Sequence, residues 1–158
     1  MTSSTGLTKE DLVILKELQK DGRISYAELS RISEIPHSTV HDRIRRLISS
    51  GVIKKFTVIL DVEEVGMNIV AIIGVETGAK LYKNVAEALC KIDEVVEVYG
   101  TTAEFDLMIK VRASTRDELS NILNQIRRID GVDDIYVSSI LEIFKEEHTL
   151  PLKTFIKS

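Results

Sequence analysis

Cysteines and long apolar runs are what this sequence lacks, and each shortage excludes a class of protein. Cys90 is the single cysteine in 158 residues, so a disulfide within the chain and a cysteine-built zinc site are excluded. No stretch approaches the roughly 18 apolar residues of a membrane span. The N-terminal MTSSTGLTKEDL lacks the basic and apolar regions of a signal peptide. We therefore expect a cytoplasmic protein without a membrane partner.

The composition is that of a soluble globular protein, with 44% hydrophobic and 29% charged residues. The length allows one ordinary domain or two small domains of about 60 to 100 residues each. A domain at the lower end of that range has a thin core, and a thin core favours stabilisation by a partner.

The charge is distributed unevenly along the chain. The net charge of the whole sequence is -4, but residues 1–60 carry +3 and residues 61–158 carry -7. Within the first part, the stretch from Pro36 to Lys55 holds five basic residues against a single acidic one, Asp42. A basic patch on an otherwise acidic protein indicates an anionic partner that binds locally.

The first 55 residues are predicted to form three helices. Thr8 and Ser25 are N-cap candidates, and apolar residues recur at helical spacing after each of them. Pro36 fits the first turn of a third helix, where its missing N–H costs nothing. The expected helices span about Thr8–Lys20, Ser25 to Ser33 or Glu34, and Pro36 to Gly51. The connection between the last two is similar to that of a helix-turn-helix.

The third helix carries the residues that could contact DNA. Its predicted inward stripe is Val40, Ile44, Leu47 and Ile48. The outward residues are Ser38, Thr39, Asp42, Arg45, Arg46 and Ser49, with His41 and Arg43 on the flanks and Lys54 and Lys55 just beyond the helix. Hydroxyl and guanidinium groups bond to phosphates and base edges, and a carboxylate can accept from a cytosine amine. A solvated helix face that touches nothing is the alternative.

The remaining sequence is predicted to form one sheet with two helices. A strand at Val52–Leu60 and a turn-rich hinge at Asp61–Met67 are followed by segments in the order βαββαβ, the split βαβ pattern of a ferredoxin-like sandwich. The predicted segments are strands Ile69–Val75, Val95–Thr101, Phe105–Val111 and Val132–Phe144, and helices from about Lys80 to Lys91 and from Ser114 or Thr115 to Arg128. The predicted fold class is α+β.

The strand Ile69–Val75 is apolar on both faces, which is typical of a strand covered on both sides. The strand that begins at Phe105 alternates apolar and polar residues instead. Since no remaining segment is long enough to cover the second face, we expect a second copy of the sheet to do so, giving at least an obligate dimer.

Residues 12–60 resemble the N-terminal domain of the leucine-responsive/asparagine-operon (Lrp/AsnC, feast/famine) transcription regulators. The matching elements are Asp21-Gly22-Arg23-Ile24-Ser25, Leu29, Val40, Arg43-Ile44-x-Arg46-Leu47 and Gly51-Val52-Ile53. Residues 71–145 are similar to that family's ligand-sensing domain. The resemblance implies a winged helix-turn-helix that reads double-stranded DNA, sheets that pair into homodimers and further into tetramers or octamers, and an amino acid or related small effector bound between dimers.

The implied domain boundaries are 1–55 for the DNA-binding domain, 56–67 for a strand and hinge, 68–147 for effector sensing and oligomerisation, and 148–158 for a C-terminal tail. The resemblance places effector contacts in the loop between the middle strands, at Gly100, Thr101, Thr102, Ala103, Glu104 and Asp106. Two departures from the family pattern stand out. Pro36 replaces the usual capping Ser, and Ala103 replaces a Gly that would allow positive φ or close approach of a ligand.

Other constellations are weaker. Glu104 and Asp106 could bind an amine or form an acid/base pair, but no nucleophile or metal site accompanies them. His37 and His41 lack a third metal ligand. Cys90 is expected in the core. We therefore predict a transcription regulator with no catalytic residue, metal or cofactor. The alternative is a ferredoxin-like protein that binds or converts a small molecule and uses its N-terminal helices to dock another protein.

Overall fold

The computed structural model describes residues 6–152, which form two compact units. The described residues up to Ile59, together with those from Glu146 onward, make the first unit, and Leu60–Lys145 make the second. The chain thus passes between the units twice. Across residues 6–152 there is no helix with the length and apolar character needed to cross a membrane.

The first unit contains three helices: α1 (Lys9–Lys20), α2 (Tyr26–Ser33) and α3 (His37–Ser49). Thr8 and Asp11 form a reciprocal capping box at the start of α1. The Ser25 hydroxyl caps α2 by accepting from the Glu28 N–H, but the Glu28 carboxylate pairs with Arg31 one turn on, so Ser25 and Glu28 form no reciprocal capping box. The three helices are joined by a small buried cluster comprising Ile14, Leu29, Val40 and Ile44.

A tight turn connects α2 to α3. Glu34 lies in the left-handed region with φ 57° and ends α2, and Pro36 occupies the N-cap position of α3 without a side-chain hydrogen bond. The Ser30 hydroxyl donates to the Ile35 carbonyl at 2.5 Å and satisfies one backbone group of the turn. Glu34 is therefore the C-cap of α2, and α3 begins at Pro36 without a side-chain cap in place of the usual capping Ser.

Two sequence predictions in this unit are wrong. Residues 52–60 form no strand, although they are β-branched and aromatic, and Phe56, Val58, Ile59 and Leu60 are exposed. β-propensity describes a fit to a pleated surface, and none of the described segments offers these residues a ladder partner. Ile48 is 46% exposed rather than buried, because it lies on the helix flank that the cluster of α1 and α2 does not reach.

The second unit is a four-stranded antiparallel sheet with two helices in the predicted βαββαβ order. Its elements are β1 (Ile69–Thr77), α4 (Tyr82–Leu89), β2 (Val95–Gly100), β3 (Leu107–Ala113), α5 (Arg116–Arg127) and β4 (Val132–Ser139). The strand order is β2-β3-β1-β4. The Thr115 hydroxyl caps α5.

Several predicted ends shift by a few residues. The last strand stops at Ser139 instead of Phe144, because its partner β1 begins at Ile69 and only the bond from the Ile140 N–H to the Val70 carbonyl remains beyond that point. Phe105 belongs to the loop rather than to β3. Cys90 is exposed at the end of α4 instead of buried, since the helix turns Val85 and Leu89 towards the core.

One face of the sheet packs against the helices and forms the larger core. Fourteen buried residues make this cluster, among them Ile73, Leu107, Ile109 and Ile126. The opposite face, which we call the open face, carries cross-strand rows such as Tyr99, Met108, Gly74 and Tyr136, followed by Glu97, Lys110, Ile72 and Ser138.

Part of the open face is covered by the chain itself, contrary to the sequence expectation. Val70 is only 3% exposed, and the Phe105 ring lies directly over Gly74. A Cβ at position 74 would lie 2.4 Å from Phe105 Cδ2, so only glycine permits this packing. The apolar character of β1 on this side therefore has an intramolecular explanation at these two positions.

Candidate nucleic-acid interface and effector loop

The structure places most of the predicted DNA-contacting residues on one accessible side of the first unit. Val40, Ile44 and Leu47 are buried and fix the rotation of α3. The exposed candidates are Ser38, His41, Asp42, Arg45, Arg46, Lys54 and Lys55, whereas Thr39 and Arg43 are partly buried. The helix thus presents hydroxyl, imidazole, carboxylate and guanidinium groups, the set that reads base edges and phosphates in a groove.

Arg43 and Arg46 are held by a carboxylate of α1 that the sequence analysis did not single out as functional. Arg43 Nη1 lies 2.8 Å from Asp11 Oδ1, and Arg46 Nη2 lies 2.7 Å from Asp11 Oδ2. The Asp11 side chain is completely buried. A signal for this contact existed in the sequence, since an aspartate on the apolar side of an amphipathic helix requires a cationic partner.

The charge of Asp11 is stabilised by its surroundings. Burial by itself raises the pKa of this carboxyl, but the hydrogen bond from the Thr8 backbone N–H and the two arginines outweigh it, so the pKa lies below its ordinary value. Asp11 is therefore ionised near neutral pH and forms charge-assisted hydrogen bonds to α3.

The aromatic ring of Tyr26 in α2 packs against two histidines in the first turns of α3. The Tyr26 ring centroid lies 6.1 Å from that of His37 and 5.7 Å from that of His41. His41 Nδ1 is also 3.6 Å from the Asp42 carboxylate. Both histidines thus contact Tyr26 of α2 and only His41 is near an acid, and among residues 6–152 no group of histidines, cysteines and acids is arranged as a metal site.

The predicted effector residues lie at the end of β2 and in the loop of residues 101–106. Thr101 organises this loop: its N–H donates to the Asp106 carbonyl at 3.0 Å, its hydroxyl accepts from the Ala103 N–H at 3.2 Å, and the same hydroxyl donates to the Phe105 carbonyl. Glu34 is the single described non-glycine residue with positive φ, so Ala103 adopts an ordinary conformation and the loop forms without the usual glycine.

The two acidic residues of the loop have different surroundings. Asp106 Oδ2 accepts from the Thr77 N–H at 2.9 Å and so ties the loop to the end of β1. Glu104 is exposed, and its negative charge contributes to the raised pKa of Tyr136. The structure therefore does not bring Glu104 and Asp106 together as one pair.

An acidic aromatic surface that the sequence analysis missed lies beside this loop. The Phe105 and Tyr136 ring centroids are 4.9 Å apart. The negative charges of Glu76 first and Asp134 next raise the pKa of Tyr136, and Glu104 adds to the effect. Its signal in the sequence was weak, because Glu76 and Asp134 become neighbours only through the register of β1 with β4.

Comparisons with known proteins agree with both units. A family model described as "Winged helix-turn-helix DNA-binding" matches residues 7–54, and one described as "Lrp/AsnC ligand binding domain" matches residues 70–150. The HTH-type transcriptional regulator FL11 of Pyrococcus furiosus is 42% identical over 143 residues, 90% of this chain and 95% of that protein. The FL11 regulator of Pyrococcus horikoshii is 43% identical over 147 residues, 93% of this chain and 97% of that protein.

Solved structures agree as well. AsnC of E. coli superposes with a TM-score of 0.84 at 27% identity, covering 90% of this chain and 97% of that one. A transcriptional regulator of Neisseria meningitidis, solved as a complex with L-Met, gives a TM-score of 0.85 at 26% identity over 92% of this chain and 96% of that one.

A helix-turn-helix followed by a ligand-binding ferredoxin-like domain defines a class of DNA-binding transcription regulators whose activity responds to a small effector. This chain belongs to the Lrp/AsnC family of that class. The predicted fold class and the predicted regulator function are thereby confirmed, and the relatives, named as transcriptional regulators, support a regulator rather than an enzyme.

Proposed function

We propose that this protein regulates transcription as a homo-oligomer that contacts pseudo-palindromic DNA through the exposed side of α3 and changes its assembly when an amino acid binds near the loop 101–106. The proposed DNA contact is supported by one observation: Ser38, Asp42 and Arg45 are exposed on the side of α3 that does not pack into the core. Lys54 and Lys55, exposed just beyond α3, supply contacts to phosphates in this proposal.

Arg45→Ala tests the DNA contact. The operator is first selected from a random duplex pool with the wild-type protein, and affinity is then measured at several salt concentrations. We expect Arg45→Ala to weaken operator binding by about fivefold to a hundredfold, the range for one good guanidinium contact. Arg127→Ala, which removes the same charge from an exposed site at the end of α5, is the matched control. Equal affinities of both variants and wild type would contradict α3 as the reading helix.

The open face of the sheet supports the proposal of a homo-oligomer. Tyr99, Ile72 and Tyr136 remain accessible on this face, and the exposed, mostly apolar segment 56–60 has no strand partner among residues 6–152. Symmetric pairing would bury such surfaces at a two-fold axis. We expect a solution mass of at least twice the 17.8 kDa of one chain. Ile72→Glu should lower that mass, whereas Glu87→Gln on the exposed side of α4 should not.

The proposed effector is an amino acid whose ammonium group binds the acidic aromatic surface around Tyr136. Carboxylates favour a cation, and aromatic faces do the same. The complex of the Neisseria relative with L-Met supports an amino acid as the class. Solution mass and melting temperature measured with a panel of amino acids test this proposal. A ligand that stabilises the wild type should lose most of its effect in Glu104→Gln, and an identical response of both proteins would contradict the site.

Coupling between effector and DNA follows from a difference in effector affinity between assembly states. An effector that binds one assembly more tightly shifts the population towards it and thereby changes how many copies of α3 face the DNA together. The same effector that changes the solution mass should therefore change operator affinity.

A further inference from the structure

The three arginines of α3 have different surroundings. Arg45 is exposed, whereas Arg43 and Arg46 both bond to the buried carboxylate of Asp11. Charge alone would make the three arginines equivalent candidates for DNA contact, and the structure separates them by their partners.

Arg43 is committed to the interior of the first unit. Its side chain is 21% exposed, and Nη1 lies 2.8 Å from Asp11 Oδ1 and 2.8 Å from the Thr8 hydroxyl. Nη2 lies 3.7 Å from the Glu10 carboxylate, and Nε is buried without a hydrogen-bond partner among residues 6–152. A guanidinium held in this way is an anchor between α1 and α3.

Arg46 is held at one end and open at the other. Its side chain is 56% exposed, and among residues 6–152 its side-chain hydrogen bond runs from Nη2 to Asp11 Oδ2. A guanidinium has five N–H donors in a rigid plane, so several donors remain for an acceptor outside the protein. Fixing the plane in advance reduces the ordering cost when that acceptor binds.

Asp11 is fixed in turn. It is the third residue of α1, its Oδ2 accepts from the Thr8 N–H at 2.9 Å, and its own N–H donates to the Thr8 hydroxyl at 3.2 Å. The carboxylate therefore cannot rotate without breaking the cap of α1. This rigidity passes to Arg46 through a short charge-assisted bond.

We propose that Asp11 is a positioning residue for DNA recognition: it orients the Arg46 guanidinium so that the free N–H groups contact acceptor atoms of the DNA, while Arg43 serves only as the anchor. This inference rests on the proposed role of α3 as the reading helix. The acceptor is an oxygen or nitrogen of a guanine edge or an oxygen of a phosphate, and the two differ in sequence dependence.

A set of variants isolates the positioning effect from folding. Asp11→Ala keeps the backbone N–H that donates to the Thr8 hydroxyl and removes both carboxylate oxygens, including the Oδ2 that accepts from Arg46 Nη2. Because this substitution alone would leave Arg43 buried without its counter-ion, it is combined with Arg43→Met, which restores an apolar packing partner. Arg43→Met alone is the matched control, since Asp11 then still holds Arg46. Melting curves of each variant establish that the first unit is folded.

On the selected operator, we expect Arg43→Met to bind within about twofold of wild type. The double variant and Arg46→Ala should each lose about fivefold or more, the lower end for one directed arginine contact. Adding Arg46→Ala to the double variant should cause no further loss, because both changes remove the same contact. Wild-type affinity of the double variant, or an Arg43→Met loss as large as that of Arg46→Ala, would overturn the proposal.

Arg46→Lys keeps the test decisive if the double variant does not fold. This exposed substitution retains the charge but loses the planar guanidinium that Asp11 orients. We expect a loss close to that of Arg46→Ala, and full rescue by lysine would overturn the proposal. A loss confined to the operator identifies a guanine acceptor, and an equal loss on random duplex with a shallower salt dependence identifies a phosphate. Arg45→Ala tests separately whether α3 is the reading helix. A failure of the Asp11 proposal can therefore be distinguished from a failure of the proposed function.

Discussion

The two units of this protein reach stability by different means. The first has a core cluster of four fully or nearly fully buried residues and relies on a charged network, in which Asp11 joins α1 to two arginines of α3. The second buries fourteen residues between a sheet and two helices. The difference indicates that the small unit uses the same charged residues for its fold and for the DNA contact proposed above, whereas in the larger unit the core is separate from the proposed effector loop.

The largest effect is expected from a matched pair of substitutions, each of which creates a cavity in one of the two cores. Ile44→Ala in the first unit and Ile73→Ala in the second each remove a fully buried side chain and should each cost about 2 to 5 kcal/mol. Because the first unit has fewer core residues, we expect Ile44→Ala to unfold it and Ile73→Ala to leave the second unit folded. Amide hydrogen exchange, followed in each unit, measures this. If the two substitutions caused an equal loss of amide protection in their own units, the expected difference in stability between the units would be contradicted.

A smaller effect is expected where the open face is closely packed. Gly74→Ala would push the Phe105 ring away and should destabilise the second unit by about 1 to 3 kcal/mol. Gly78→Ala, at a site with nothing within 4 Å of the added Cβ, is the control. Chemical denaturation measures both. We also expect Gly74→Ala to disturb the Phe105–Tyr136 pair, and an unchanged response to the effector would separate this packing from effector binding.

Acid should weaken the first unit. The pKa of Asp11 is lowered in the folded protein, so its contribution to stability is present above the pKa of the unfolded chain and is lost as the pH falls through the lower, folded value. Melting curves of the wild type between pH 7 and strongly acidic pH should show this loss. The Asp11→Ala, Arg43→Met double variant should show a flatter profile, and an unchanged profile would assign the acid sensitivity to other carboxyls.

The smallest expected effect concerns the turn of the helix-turn-helix. Glu34 adopts a left-handed conformation that favours glycine, so Glu34→Gly should stabilise the first unit by about 0.5 kcal/mol after the added freedom of the unfolded chain is subtracted. The change is measurable as a small rise in melting temperature. Destabilisation would mean that the Glu34 side chain makes a contribution larger than its backbone strain.

Local patterns were sufficient for the elements and for the exposed side of α3. The caps at Thr8 and Ser25 and the apolar stripe of Val40, Ile44 and Leu47 are decided within a few residues, so sequence alone placed them correctly, and it narrowed the cap of α5 to Ser114 or Thr115. Residues 52–60 were misassigned because a strand is defined by a partner, which local propensity does not supply. Ile48 was misplaced because periodicity gives the direction of a side chain but not the extent of the surface that meets it.

The sequence by itself determined the succession of helices and strands, the uneven charge of its two parts and the family to which it belongs, because spacing, caps and charge are properties of neighbours along the chain. Only the tertiary structure decided that Asp11 reaches Arg43 and Arg46, that Glu76 and Asp134 meet beside Tyr136, and that Phe105 covers Gly74. These contacts join residues about 30 or more positions apart, and their geometry follows from helix packing and strand register, which local sequence does not specify.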